Sequence, residues 1–496
     1  MTHYLLSIDQ GTTNSRAIIF DKFGNIASVA ELPLNQSFPQ PGWVEQNAEE
    51  MFENSLACCR DAMKKLNINA TSIAAIGITN QRETTILWDK ITGKPIHPAI
   101  VWQDRRTSDF CKQLVTDDFK TLVQEKTGLL LDPYFSATKI AWILDHVPKA
   151  RERSLRGEIL FGTVDTFLLW KLTAGKSHIT DATNASRTLL FNVHTQTWDD
   201  ALLNKFNIPH QILPLVYDNA ANFGETEKSL LGGQIQIAGM AGDQQAATIG
   251  QACFQSGMVK TTYGTGCFML LNTGKKFVQS SNQLLTTIAY RLNGDVTYGI
   301  EGSIFSAGST VKWLRDTLKL IQSANETEVL ARSIDNTGGV YLVPAFTGLG
   351  APHWDPDARA AIIGLTRGSD KSHIVRAALE SVSYQTADLL QAMQKDFGAT
   401  ISMMRVDGGM AANNWLLQFI ADILNITVQR PVCIETTALG AAYLAGLQVG
   451  MYQSLDEIAT FWRQQSTYHP AFSPQKRDDL YNGWQDAVNR VLCRKT

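Results

Sequence analysis

Two similar segments constrain this chain more than any other feature, one at its start and one just past Gly250. The first, YLLSIDQGTTNSRAIIF, sets apolar runs at residues 5–8 and 17–20 around DQGTTNSR. The second, GMVKTTYGTGCFMLLNTG, sets strands at residues 258–263 and 268–272 around a Gly-Thr-Gly turn. Strands at 284–290 and 296–300, joined by Asn293-Gly294, and a helix at 310–320 are expected next. Each segment therefore runs strand, Gly-Thr turn, strand, strand, helix, which predicts an internal duplication of fold. Glycine-turned hairpins are common, so it is the shared order that carries this expectation. A chain of 496 residues also exceeds what one core organises, which predicts domains over residues 1–249 and 250–496.

Local patterns make both halves α/β. Residues 47–66, NAEEMFENSLACCRDAMKKL, suit an amphipathic helix that is acidic at its start and basic at its end. Residues 73–79, IAAIGIT, read as a strand buried on both faces, and residues 136–146 read as a helix. A net charge of −3 gives no general affinity for nucleic acid, so any phosphate binding has to be local. Seven scattered cysteines without ligand spacing read as reduced thiols. The opening apolar run is too short for a signal peptide, and no segment reaches membrane-spanning length. A cytoplasmic protein with no stable membrane insertion is expected.

DQGTTNSR is chemically richer than a reversal of direction needs. Gly11 allows close backbone approach, and the N–H groups of Gly11, Thr12 and Thr13 can face phosphate oxygens. Asp9 would repel a phosphate unless a cation lay between them, which implies magnesium keeping most of its water. By itself the segment reads equally well as a solvated turn. Gly264, Thr265 and Gly266 repeat the element in the second half, and VDGGMAANNWLLQFIADIL runs from a strand ending at Val406 through Asp407-Gly408-Gly409 into a helix. A helix start behind two glycines can receive a nucleotide, or can be an ordinary turn. Neither a Walker A sequence nor a GxGxxG after the first strand is present. Together the three elements resemble the actin-like ATPase superfamily.

Candidates for an acceptor site follow the other strands. Arg82 and Glu83 offer fixed donors and a carboxylate acceptor side by side, as a polyhydroxyl compound requires; a surface ion pair is the plain alternative. Trp102 and Tyr134 can pack on a carbon skeleton. In AGDQQAA, Asp243 has the composition of a helix N-cap, yet lies at the junction of the halves, where an acid could take a hydroxyl proton.

With DQGTTNSR, GITNQRETT, GTVDTFLLWK, TDATNASRTLLFN, AGDQQAA, TYGTGCFML, VPAFTGLGAPHWDPDARA and VDGGMAANN in this order, the chain resembles the glycerol kinases among the carbohydrate kinases. The resemblance implies two duplicated actin-like (ribonuclease H-like) domains facing a central cleft, and ATP- and magnesium-dependent phosphorylation of glycerol. It also implies a homodimer or homotetramer. On matching positions, Arg82, Glu83, Tyr134, Asp243 and Gln244 would bind glycerol, Trp102 and Phe268 would line its carbon side, and Asp243 would be the base. Thr12, Thr13, Asn14 and Arg16, with Thr265 and Gly308, would hold phosphates. Gly409 and Asn413 would contact the nucleotide, and Asp9 would organise magnesium through water. Lys312 stands where the family often has a Gln contact to the nucleotide. In LLGGQIQIAG, Gln234 replaces an Arg of enzymes inhibited by fructose 1,6-bisphosphate, and AFSPQKRDD gives no support for docking a phosphotransfer protein. A pentulose kinase and a chaperone-like ATPase are the rival readings.

Overall fold

The computed structural model describes residues 3–355 and 357–492, leaving Pro356 of the VPAFTGLGAPHWDPDARA motif and Cys493 outside. Its two large sheets share one plan. The N-terminal sheet comprises β1 (Tyr4–Gln10), β2 (Asn14–Phe20), β3 (Ile26–Pro33), β4 (Ile73–Asn80), β5 (Ala220–Glu225) and β6 (Gln236–Gly242), in the order β5-β6-β4-β1-β2-β3. β1, β4 and β6 are parallel, while β2, β3 and β5 run against their neighbours. The C-terminal sheet comprises β7 (Val259–Tyr263), β8 (Cys267–Gly274), β9 (Leu285–Leu292), β10 (Asp295–Ile304), β11 (Met403–Asp407), β12 (Thr427–Pro431) and β13 (Gln464–Tyr468). Its order, β9-β10-β8-β7-β11-β12-β13, has the same parallel centre of three strands. The duplication is therefore real, with β9 added at one edge. The two strands expected after the second turn are β9 and β10, and β10 is the counterpart of β3.

The opening turn is much shorter than its sequence suggested. Strand pairing continues through Asp9↔Arg16 and Gln10↔Ser15, which leaves only Gly11, Thr12 and Thr13 as the turn. The extension is held by buried polar bonds, because Ser15 and Ser55 both donate to Gln10 Oε1, at 2.7 and 3.0 Å. The helix expected at 310–320 runs instead over Gly308–Asp316 (α3, after α1, Ala48–Lys65, and α2, Asp243–Gly250). Lys319 lies in the left-handed region at φ +56°, which breaks the helical path. After Asp407 the chain does not enter a helix directly. Gly408 takes φ +87°, where a side chain would strike the Tyr263 carbonyl, and a 3-10 turn (Gly409–Ala412) precedes the next helix. Asn414–Leu424 (α5, after α4, Lys371–Phe397) is then capped by Asn413, whose side chain accepts from Leu416 N.

The halves are joined by helices rather than by a linker. α6 (Thr436–Gln448), from the C-terminal half, lies on β4, β6 and β1 of the N-terminal sheet, and α2 packs along it. One apolar core accordingly takes Leu5, Phe20 and Ala75 from one half and Leu270, Ala442 and Tyr443 from the other. Glycines permit this approach: a Cβ on Gly440 would sit 1.8 Å from the Ala246 carbonyl oxygen, and one on Gly77 2.1 Å from that of Ala441. Gly440→Ala should therefore destabilise the protein by about 1–3 kcal/mol in urea titration. Gly409→Ala, where a Cβ meets nothing within 4 Å, should stay within about 0.5 kcal/mol of the parent.

Candidate active site

Strand ends converge where the halves meet. β4 delivers Arg82 and Glu83, β6 delivers Asp243 at the first position of α2, and β10 delivers Glu301 from the other half. Arg82 and Glu83 do not pair with each other. Arg82 Nε lies 3.0 Å from Asp243 Oδ1, and its two Nη groups grip both oxygens of Glu301, Nη2 at 3.1 Å from Oε1. Glu83, with a left-handed backbone at φ +59°, takes Arg187 Nε at 2.6 Å. Arg187 Nη2 donates to Glu301 Oε1 at 3.0 Å, so five charges form one chain: Glu83, Arg187, Glu301, Arg82, Asp243. The surface ion pair considered for Arg82 and Glu83 is thus replaced by a buried network. Nor is Asp243 the cap of α2: Gly242 holds that position, and Asp243 Oδ1 merely accepts from Gln244 N at 2.7 Å.

Electrostatics differ along the chain. Burial raises the Asp243 carboxyl above its ordinary range, with Arg82 and Lys260 opposing. Burial also works against the charge of Glu301, but Arg187 and Arg82 outweigh it and hold that carboxyl below the usual value. Asp243 keeps 31% of its side chain exposed whereas Glu301 keeps 1%, so the first faces the cleft and the second is structural ballast behind it. No described residue donates to Asp243 Oδ2.

Three half-buried rings close the other side. Trp102 meets Tyr134 edge-on at 5.6 Å and Phe268 at 6.1 Å, and Arg82 lies 6.0 Å over Phe268. The Trp102 indole also donates to Thr12 Oγ1 at 2.9 Å, which ties this aromatic wall to the first Gly-Thr turn. Gln244 turns away to bond buried Lys260 from β7. Behind the wall, Lys139 of the helix Ser136–His146 donates to the Tyr134 carbonyl at 2.5 Å and the Glu83 carbonyl at 3.4 Å.

The second turn and the start of α3 form one unit. Ala307 N and Ser309 N both donate to the Thr265 carbonyl, and Gly308 N to that of Gly264. A Cβ on Gly308 would lie 2.6 Å from the Gly264 carbonyl and 3.6 Å from Met410 Sδ, so the 3-10 turn that begins at Gly409 adjoins it. Lys312 is exposed one helical turn along α3, and Asn413 Nδ2 contacts Thr327 Oγ1 at 3.4 Å.

On the first turn, Thr13 is exposed and Asn14 bonds Glu31. Arg16 is held by Asp9 at 2.5 Å and by Glu435, just ahead of α6, at 2.7 Å. Asp9 raises its proton affinity further, so it is a permanent cation spanning the halves. Asp9 Oδ1 accepts no hydrogen bond from the described residues. A buried carboxylate with one oxygen uncommitted fits a hard, hydrated divalent ion such as magnesium bound through water. No cluster of three or more His, Cys, Asp or Glu side chains among the described residues forms an all-protein cage.

Glu301, Arg187 and Lys260 were not singled out from sequence. The available signal was modest: a carboxylate inside the strand YGIEGSIF, a lysine inside GMVKTTYG, and an arginine in the quoted NASRTLL.

The N-terminal domain model of the FGGY family of carbohydrate kinases matches residues 4–250, and the C-terminal domain model matches residues 259–449. The chain is 59% identical over 491 residues to glycerol kinase 1 of Pseudomonas aeruginosa, covering 99% of each. It is 59% identical over 494 residues to a glycerol kinase of Marinomonas sp., covering 100% of each. Its fold matches the crystal structure of Plasmodium falciparum glycerol kinase with ADP at a TM-score of 0.92, with 39% identity and 99% of each chain covered.

Burial lowers the Lys139 amine to about 8, with Glu83, Asp104 and Asp132 opposing. The unfolded chain binds the extra proton between that value and the ordinary lysine range, so this group's contribution to stability rises with pH across the window. Urea titrations at pH 7.5 and 9.5 should show the parent gaining stability relative to Lys139→Met over this interval, the first pH lying below the folded-state value and the second between it and the ordinary lysine range.

Proposed function

This chain belongs to the FGGY family of carbohydrate kinases, and from that premise we propose that it transfers the γ-phosphoryl group of ATP to a terminal hydroxyl of glycerol, giving sn-glycerol 3-phosphate. The observation that carries the reading is the half-exposed Asp243 paired with buried Arg82, beside three rings that can take a short carbon skeleton. The names of relatives 59% identical over nearly the whole chain support the same substrate.

In this reading Arg82 donates to glycerol hydroxyls, Glu83 accepts from them, Gln244 offers its amide Nε2 while its oxygen stays on Lys260, the Tyr134 phenol adds a further bond, and Trp102 with Phe268 covers the carbons. Asp243 Oδ2 takes the proton of the attacking hydroxyl. The alcohol oxygen bonds to the γ-phosphorus as the bond to the β,γ-bridging oxygen breaks, and ADP leaves. Burial keeps the proton affinity of Asp243 above that of an ordinary aspartate, which suits a base near neutral pH. Positioning supplies most of the acceleration, because the transition state of phosphoryl transfer is loose.

Thr12, Thr13 and Asn14 on one turn, with Thr265 and Gly308 on the other, hold the phosphates. Arg16 contributes charge from within its pair with Asp9 and Glu435. Gly409 and Asn413 flank the nucleotide, with Lys312 at the rim. Magnesium, held through water by Asp9, would neutralise phosphate charge. Domains of 1–249 and 250–496, a homodimer or homotetramer, and a cytoplasmic location complete the proposal; no helix among the described residues is long and apolar enough to cross a membrane.

A coupled assay of ADP release with glycerol, with a pentulose and with neither tests the reading; release independent of glycerol overturns it. Asp243→Asn should bind both substrates yet lose roughly 10²–10⁴-fold in kcat. Arg82→Ala should raise the glycerol KM while the ATP KM stays put, because Arg187 still holds Glu301. Gln234 is exposed after Gly232-Gly233 and offers no charge to a sugar bisphosphate. Fructose 1,6-bisphosphate added to the same assay should therefore inhibit weakly or not at all.

A further inference from the structure

Glu301 does not reach the cleft, yet every charged group of the alcohol site leads to it. Its oxygens accept from Arg82 and Arg187, and through these it touches the groups that hold Asp243 and Glu83. It arrives on β10 of the C-terminal half, while its four partners in the chain belong to the N-terminal half. Burying an ion costs several kcal/mol unless good geometry offsets it, so a carboxylate buried to this degree is held by its two guanidinium partners or not at all. Arg187 is equally buried, and its Nη1 has no acceptor among the described residues. That leaves one buried donor for an oxygen the protein does not supply.

We infer that Glu301 is the positioning residue of the alcohol site, a carboxylate by which the nucleotide half sets the geometry of Arg82 and, through Arg187, of Glu83. This rests on the alcohol-phosphorylating reading of the cleft. A guanidinium gripped on its Nη edge by Glu301 can turn only its Nε edge to Asp243, which fixes where donors are presented to a hydroxyl. Aligning the halves and assembling the acceptor site thereby become one event. Without the Glu301 charge, Arg82 is free to close fully on Asp243 and mask the base.

The charged groups facing Asp243 are Arg82, Lys260 and Glu301, and of these only Glu301 favours the protonated acid. Glu301→Gln preserves shape and removes the charge. Its glycerol kcat/KM should fall roughly 10–100-fold, the scale for groups that orient a ligand-contacting side chain. The ATP KM should stay within about twofold, and the acidic limb of kcat should move to lower pH. The Asp243 carboxyl, assigned by subtracting the Asp243→Asn spectrum and followed by 13C NMR, should titrate at lower pH in the same variant. Glu301→Asp, should Glu301→Gln fail to fold, keeps the charge on a shorter arm: glycerol kinetics should weaken while the acidic limb stays. A folded Glu301→Gln with parental glycerol kinetics and parental Asp243 titration overturns the inference. So does a parallel loss for glycerol and ATP with no shift in the limb, as does a Glu301→Asp with parental glycerol kinetics. A parent that releases no ADP on adding glycerol would instead overturn the reading of the substrate, and the carboxyl titration would still decide the role of Glu301.

Discussion

Glu301 sits behind the cleft with both oxygens given to arginines from the opposite half of the molecule. Ion pairs removed from water contribute little net stability, since desolvation cancels most of their attraction. Their effect is to penalise every arrangement in which a partner is missing. If the halves slip apart, a carboxylate and two guanidinium groups lose each other inside an apolar surround. The relative placement of Arg82, Glu83 and Asp243 is thereby tied to the seating of one half on the other. The aromatic wall belongs to the same arrangement, because Phe268 comes from β8 and Trp102 from the N-terminal half.

The seating itself is made by apolar packing. Small residues let α6 lie directly on the N-terminal sheet and against α2, with Gly77, Gly239, Gly250 and Gly440 at the points of closest approach. Burial of this kind is non-directional, whereas the charge chain is sensitive to position. The Arg16 bridge between Asp9 and Glu435 works likewise at the other end of the contact, linking the strands around the first Gly-Thr turn to the residue that precedes α6.

Much of this was legible in the sequence. The repeated strand–turn–strand order gave the duplicated sheets, and Arg82, Trp102, Tyr134, Asp243 and Phe268 do gather at one place. Boundaries set by tertiary contacts were not legible. The first turn looked long because Asp9, Gln10 and Arg16 are polar, but Gln10 and Ser15 satisfy one another inside the core and carry the strand onward. Strand β9 was expected, though not that it would lie outside the repeat. Glu301 escaped notice because a lone acid in a strand normally marks a solvent-facing position, and only the arrival of two arginines from far along the chain reverses that inference.

The lodging of α6 on the first sheet has a consequence for how the molecule is made. Residues 4–250 leave the ribosome with one face of their sheet bare, since the helix that covers it is encoded after residue 435. The early product must wait, sticky and incomplete, for nearly half of the polypeptide to follow. Severing the gene at the repeat boundary would deliver a first half lacking its own lid, and its misassembly with copies of itself is the natural fate of such a fragment.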